Sequence, residues 1–309
     1  MRSAARSVIF LRAGRQRLPV RRRLQGVHHP PTPPTEWIHM APQHHRPRPT
    51  RKRALIGGLG AAALTIGAIT AGTMLSSASA SAEWPTPGDD KPVSSTQKVS
   101  GVVDGKMQRY IGEGELGDGG QDEGQPAMFE LADGATLKNV VIGSPAADGI
   151  HCEGSCTLQN VWWEDVGEDA ATFLGGANAK YTIEGGGARK ADDKVFQHNG
   201  GGTLTIRDFA VQDFGKLYRS CGNCSEQQKR AVVVDGVEVT APGTSLVGVN
   251  ENFGDTAKLS NITIIGDSGK KIDPCVRFKG NDTGAEPEET GSGPDGKTCI
   301  YKESDISYK

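Results

Sequence analysis

The sequence predicts an all-β fold, a single right-handed parallel β-helix, on three observations. A short apolar-x-polar unit recurs as TLKNV at Leu137, TLQNV at Leu158, TIEGG at Ile183, TIRDF at Ile206, VVDGV at Val234 and KLSNI at Leu259. Its leading residues lie 21, 25, 23, 28 and 25 positions apart, and a period of this size marks a solenoid. No segment carries the apolar stripe of a helix, whereas a helical solenoid needs amphipathic helices in every repeat. The units themselves are short, β-branched and separated by Gly, Asn and Asp, as strands of a coil should be. An antiparallel sandwich is the competing arrangement, but its strands would share no common phase.

Four regions follow in chain order. Residues 1–50 are basic and Pro-rich without apolar periodicity, an extension expected to be disordered or not translated, since Met40 offers an alternative start. Residues 51–82 read as a secretory signal: Arg51, Lys52 and Arg53, an apolar Ala/Gly-rich run over 54–75, then small residues with an A-x-A pattern. The run is long enough to span a membrane, but it is weakly hydrophobic and ends in small residues, so cleavage and release from the membrane are expected. Residues 83–98 read as a linker, and 99–309 as the β-helix domain.

Charge divides the chain at the same place. The first 82 residues hold 13 of the 35 Lys and Arg and one acid, Glu36, leaving 22 bases (35 − 13) against 36 acids (37 − 1) from Glu83 onward, a net charge of −14. Such a surface excludes nucleic acid as the partner, because phosphate neutralisation needs a basic face. All six cysteines fall in this acidic part, and an even count in an exported chain points to disulfides. Zinc competes for the short-spaced pairs, but only His151 and His198 remain there to help ligate it. Proximity in sequence suggests Cys152–Cys156, Cys221–Cys224 and Cys275–Cys299.

Repeat phase places side chains. Asn139, Asn160, Asp208 and Asn261 share one position, with Gly185 and Gly236 in the gaps, so stacked Asn is expected at a corner, satisfying backbone groups up the ladder. Eleven residues after the leading residue come Asp148, Asp169 and Lys194, and ten after Ile206 comes Lys216. In register, these four make one charged column with steps of roughly 5 Å. A ladder of surface ion pairs is the bland account. The glycine- and acid-rich surroundings, DGIHCEGSC, VGEDA and DDKVFQHNG, mark the column as a site instead.

Asp148, Glu168 and Asp169 are hard oxygen ligands without accompanying Cys or His, which suits Ca2+ better than zinc. Glu168 and Asp169 are adjacent, so both reach one ion only if the chain bends, as Gly167 permits. Lys194, Lys216 and Arg219 supply cations, and the Arg219 fork matches a carboxylate. Ion, lysines and arginine on one face would bind an acidic sugar and favour β-elimination. Hydrolysis would need paired acids, for which Asp165, Asp192 and Asp193 are nominal candidates. A non-catalytic binder of acidic polysaccharide also stays open. His151 and His198 are expected to make structural hydrogen bonds. Of Trp162 and Trp163, at most one could face a groove.

The stretches RYIGEGELGDGGQDEGQPAMFELADGATLKNVVIG, DGIHCEGSCTLQNVWWEDVGEDAATF, KVFQHNGGGTLTIRDFAVQDFGKLYRSCGNC and GVNENFGDTAKLSN closely resemble secreted pectate lyases of polysaccharide lyase family 3. The resemblance runs from about Val99 to the C-terminus. It implies a secreted, calcium-dependent enzyme that cleaves polygalacturonate, the backbone of pectin, to 4,5-unsaturated products. It puts calcium ligands at Asp148, Glu168 and Asp169, with Glu123 a further acidic position near the groove. It puts the catalytic base at Lys194 and assisting cations at Lys216 and Arg219. A capped single coil of this kind is expected to be a monomer, and the segment GNDTGAEPEETGSGPDG a flexible surface loop.

Overall fold

The computed structural model describes residues 83–122 and 124–309. The extension, the signal segment and Glu123 therefore lie outside the described residues. The described chain forms a parallel β-solenoid of about six turns, right-handed as parallel crossovers are, with three sides.

One side stacks Gln97–Val99, Phe129–Leu131, Ile150–Cys152 and Ala171–Phe173, then the closing residues of Lys180–His198, Ala210–Ser220 and Glu238–Asn250, and last Asp273–Lys279. A second side carries the sequence repeat. Leu137, Leu158, Ile183, Ile206, Val234 and Leu259 are register partners, each directly over the next. Val103 adds a turn before them. The third side runs from Asp90–Val93 and Arg109–Gly112 to Ile306–Tyr308. Residues 90–93 and 97–98, inside the stretch expected to be a linker, are thus in strands of the first coil.

The corner between the second and third sides explains the Asn/Asp/Gly position. Asn139, Asn160, Asp208 and Asn261 have φ of 51–54°, and Gly185 and Gly236 have φ of 67°. This left-handed conformation is open to Gly and tolerated by Asn and Asp, while other L-residues pay a steric penalty there. The stacked amides bond to neighbouring side chains rather than, as expected, to the backbone. Asn139 Nδ2 donates to Asp104 Oδ1 at 3.0 Å, Asn160 Nδ2 to Asn139 Oδ1 at 2.9 Å and Asn261 Nδ2 to Asp235 Oδ1 at 2.8 Å.

Inside the coil, alternate residues of the repeat strands pack together. Beside the aliphatic line runs an aromatic stack of Phe173, Tyr181, Phe196, Phe209 and Trp163. Trp163 is fully buried, whereas Trp162 faces out on the third side, donates to Asn160 Oδ1 at 2.7 Å and meets the ring of Trp84 at 5.1 Å. His198 is also inside. Its Nε2 donates to the Gly201 carbonyl at 3.1 Å and its Nδ1 accepts from the Tyr218 hydroxyl at 2.9 Å, the structural role expected of it.

All three expected disulfides are present. The segment expected to be a flexible loop instead contains a strand, Glu288–Ser292, paired antiparallel with Asp273–Lys279. This hairpin departs from the coil beside the Cys221–Cys224 loop.

Candidate active site

The charged column forms at the entry to the first side. Lys194 and Lys216 are register partners. Asp148 and Asp169 stand two residues before Ile150 and Ala171, which pair with each other, and Ala171 pairs in turn with Phe196, two residues after Lys194. Three positions further along each turn lies a second, uncharged-to-basic column, His151, Thr172, Gln197 and Arg219, also in register. The sequence count found the first column. The second was reachable by the same count, but its residue types signal little by themselves.

Asp148, Glu168 and Asp169 are all buried, and one ligand atom from each lies within 4.8 Å of the others. Residues 164–170 are not a strand, so the alternation that would separate Glu168 from Asp169 does not apply. Gly167 lets the bend lie on the previous turn, where a side chain at that position would collide with the Ala147 carbonyl. Ca2+ takes oxygens at about 2.4 Å, so ligands up to about 5 Å apart can share one ion. Asp148 Oδ1 and Asp169 Oδ1 are buried and accept no hydrogen bond, an arrangement costly to leave unmet. The donor set thus fits a hard divalent cation. His151 Nε2 and Asp148 Oδ2 are 2.7 Å apart, which steadies that carboxylate. Burial opposes the charge on His151, but Asp148 together with Glu153 and Glu130 outweighs it and raises the imidazole pKa. Burial dominates at Asp169 and pushes its carboxyl well above the ordinary range, against the pull of Lys194.

Lys194 joins this cluster to the next. Its Nζ is 2.7 Å from Asp193 Oδ2, 3.5 Å from Asp169 Oδ1 and 3.7 Å from Glu168 Oε1. Burial would lower its pKa, yet the surrounding carboxylates together hold it above the usual lysine value. Asp193 Oδ1 also accepts from Lys216 Nζ at 3.0 Å. Asp193, weighed from the sequence only as a hydrolase acid, is thus a clasp between two lysines. Burial alone would raise its pKa; the hydrogen bond and charge of Lys194, with Lys216, lower it. Asp165 pairs with Lys190 at 3.3 Å and Asp192 is exposed, so neither stands opposite Asp193 as a partner acid.

Arg219 is 8% exposed and its surroundings are different. Nη1 donates to Asn250 Oδ1 at 3.0 Å, the Phe278 ring lies 4.0 Å from the guanidinium carbon, and no carboxylate forms an ion pair with it among the described residues. Burial pulls its pKa down to about 10. The Cys221–Cys224 loop follows directly, and Gly222 within it leaves the room Arg219 needs: a Cβ there would stand 2.5 Å from Nη2.

Two adjoining hollows result. One, of about 140 Å³, is bordered by the three carboxylates, His151 and Thr172. The other, of about 260 Å³, is bordered by Lys216, Arg219, Asn223, Phe278, Glu286 and Pro287. Lys194 and Gln197 border both. The hairpin that was expected to be a loop without a role supplies the far wall of the second.

Comparison with known proteins agrees with this architecture. Residues 81–285 match the family described as Pectate lyase. The chain is 50% identical over 226 residues to a probable pectate lyase E of Neosartorya fischeri, covering 72% of this chain and 86% of the relative. It is 49% identical over 227 residues to pectate lyase E of Emericella nidulans, with the same coverage. Among solved structures, the catalytic domain of pectate lyase PelI from Erwinia chrysanthemi is 34% identical with a TM-score of 0.62, covering 72% of this chain and all of that one. PelI in complex with tetragalacturonic acid is 34% identical with a TM-score of 0.61, covering 71% of this chain and 70% of that one. The chain belongs to the pectate lyase family.

Proposed function

We propose that this pectate lyase is a secreted, calcium-dependent monomer that cleaves α-1,4-polygalacturonate by β-elimination to 4,5-unsaturated oligogalacturonides. One observation carries the reading: a buried trio of carboxylates and a group of three cations open into one groove on one side of the coil. The complex of PelI with tetragalacturonic acid, an acidic oligosaccharide, supports a uronide as occupant. Three disulfides support an oxidising compartment.

Asp148, Glu168 and Asp169 would hold the ion. Calcium on the uronate carboxylate would draw charge from C5 and acidify its proton. The protein's own groups do the rest. Lys216 and the Arg219 fork engage the carboxylate and set the ring in the groove. The base removes the C5 proton, its electron pair forms the C4–C5 double bond, and the C4 oxygen departs with the remaining chain. Lys194 stands between the carboxylate trio and the second hollow, which suits it to that proton. It must first be released from Asp193, Asp169 and Glu168, and engaging those carboxylates elsewhere would do so. A second reading gives the proton to Arg219, which among the described residues forms no ion pair with a carboxylate and whose burial lowers its pKa.

The unsaturated product absorbs in the ultraviolet. Its appearance from polygalacturonate is expected to require calcium, to stop with chelator, and to fall at least ~100-fold in Lys194→Ala, the range ordinary for a lost general base. Activity retained in Lys194→Ala but lost in Arg219→Ala would move the base to Arg219. Reducing ends without ultraviolet absorbance would replace elimination by hydrolysis.

A further inference from the structure

The stretch GVNENFGD takes no part in the chemistry above, yet it places a fully buried amide behind Arg219. Asn250 is 0% exposed, and an amide so placed is expensive unless both ends are bonded. Both are. Oδ1 accepts from Arg219 Nη1 at 3.0 Å, and Nδ2 donates to the Cys221 carbonyl at 2.9 Å. The Asn250 backbone N–H donates to Asp255 Oδ2 at 3.1 Å, and Asp255 Oδ1 accepts from the Arg230 N–H at 2.9 Å. Arg230, itself fully buried, donates to the carbonyls of Asn199 and Gly200 at 2.7 Å each. Arg219, the disulfide loop and the turn beneath Gln197 are therefore tied into one frame through Asn250.

The other faces of the guanidinium are equally fixed. Phe278 covers one, and Gly248, the register partner of Arg219 on the next turn, keeps clear of its stem. A Cβ on Gly248 would lie 2.9 Å from Arg219 Cδ. An aspartate of the same size at position 250 would orient Arg219 as well, but would pair with it and cancel its charge. The amide orients without neutralising.

We infer that Asn250 is a positioning residue for the reaction, holding the Arg219 guanidinium charged and aimed into the groove at the substrate's carboxylate. The inference rests on the reading of Arg219 as a substrate-facing cation. Small misplacements of such a group cost up to about 100-fold in rate.

The test is a double-mutant cycle on polygalacturonate, with thermal stability followed in parallel. Asn250→Ala is expected to lower kcat/KM by ~10- to 100-fold in the wild-type background. In the Arg219→Lys background, where the bond to Asn250 is already lost, it should lower it by no more than ~2-fold. An equal loss in both backgrounds would assign Asn250 to general stability and overturn the inference, as would no loss in either. If Asn250→Ala fails to fold, Asn250→Asp is read instead. A loss of ~10-fold or more is then expected from the ion pair with Arg219, and unchanged kcat/KM overturns the inference. No unsaturated product from the wild-type chain would remove the elimination reading and this inference with it. A wild-type lyase indifferent to Asn250 overturns this inference alone.

Discussion

At the scale of single residues, what distinguishes Lys194 from Arg219 is their company. Lys194 has three carboxylates within 3.7 Å, and Arg219 has an amide and an aromatic ring. The interior poses the same question for His198, whose imidazole has no acidic neighbour among the described residues to favour its charge. Burial pulls its pKa down from 6.5 to about 4, against the small opposing effect of the Gly201 carbonyl. The unfolded chain therefore binds a proton through this interval that the folded chain does not, so stability is complete above the unfolded value and falls as pH drops toward the folded one. A shift of this size corresponds to about 3 kcal/mol. His198→Gln keeps a donor for Gly201 and an acceptor for Tyr218 but does not titrate. The stability advantage of wild type over His198→Gln is expected to shrink by about 3 kcal/mol between about pH 7 and pH 4, measured by denaturant unfolding. An advantage that stays constant would show that His198 is not held neutral.

At the scale of the element, the coil is built by its corners as much as by its strands. Asn261 is exposed, has φ 54°, and bonds to Asp235. Asn261→Gly keeps the left-handed corner, and Asn261→Ala strains it. The alanine variant is expected to be less stable than the glycine variant by about 1 kcal/mol, despite glycine's larger unfolded-state entropy. The opposite order would mean that the hydrogen bond, not the backbone, selects the residue. This position was legible in the sequence because a strict period exposes any site with a single backbone demand. The charged column was legible for the same reason. The frame around Arg219 was not. Asn250 lies 31 residues from Arg219, at the start of a one-turn helix that interrupts the repeat, and Phe278 lies on a hairpin that leaves the coil. The two are register partners, but an amide and a phenyl ring signal no site by their residue types. Trp162 escaped for a related reason: alternation said that Trp162 and Trp163 face opposite ways, but which of them faces outward, and that Trp84 meets it there, depends on where the corners fall.

At the scale of the whole molecule, the region after residue 82 carries a net charge of −14, and such a surplus opposes compaction by self-repulsion. The repulsion is sharpest where Asp148, Glu168 and Asp169 are buried side by side with only Lys194 between them and the next acid. A cation bound there would act on stability as well as on chemistry, because the site exists only when two successive turns are stacked. At about 100-fold excess over its dissociation constant, a ligand confined to the folded state adds about 2.7 kcal/mol, or about 5–10 °C in Tm for a domain of this size. Bulk salt would also raise Tm by screening the surface, so the comparison that decides is made at fixed ionic strength. Calcium is expected to raise the Tm of the wild-type chain by that amount and to leave Asp148→Asn nearly unmoved, while sodium chloride raises both alike. An equal calcium shift in the two chains would place the stabilising ion somewhere other than the carboxylate trio. No shift in either would mean that the trio binds calcium only together with the uronide, whose carboxylate would then be a required ligand.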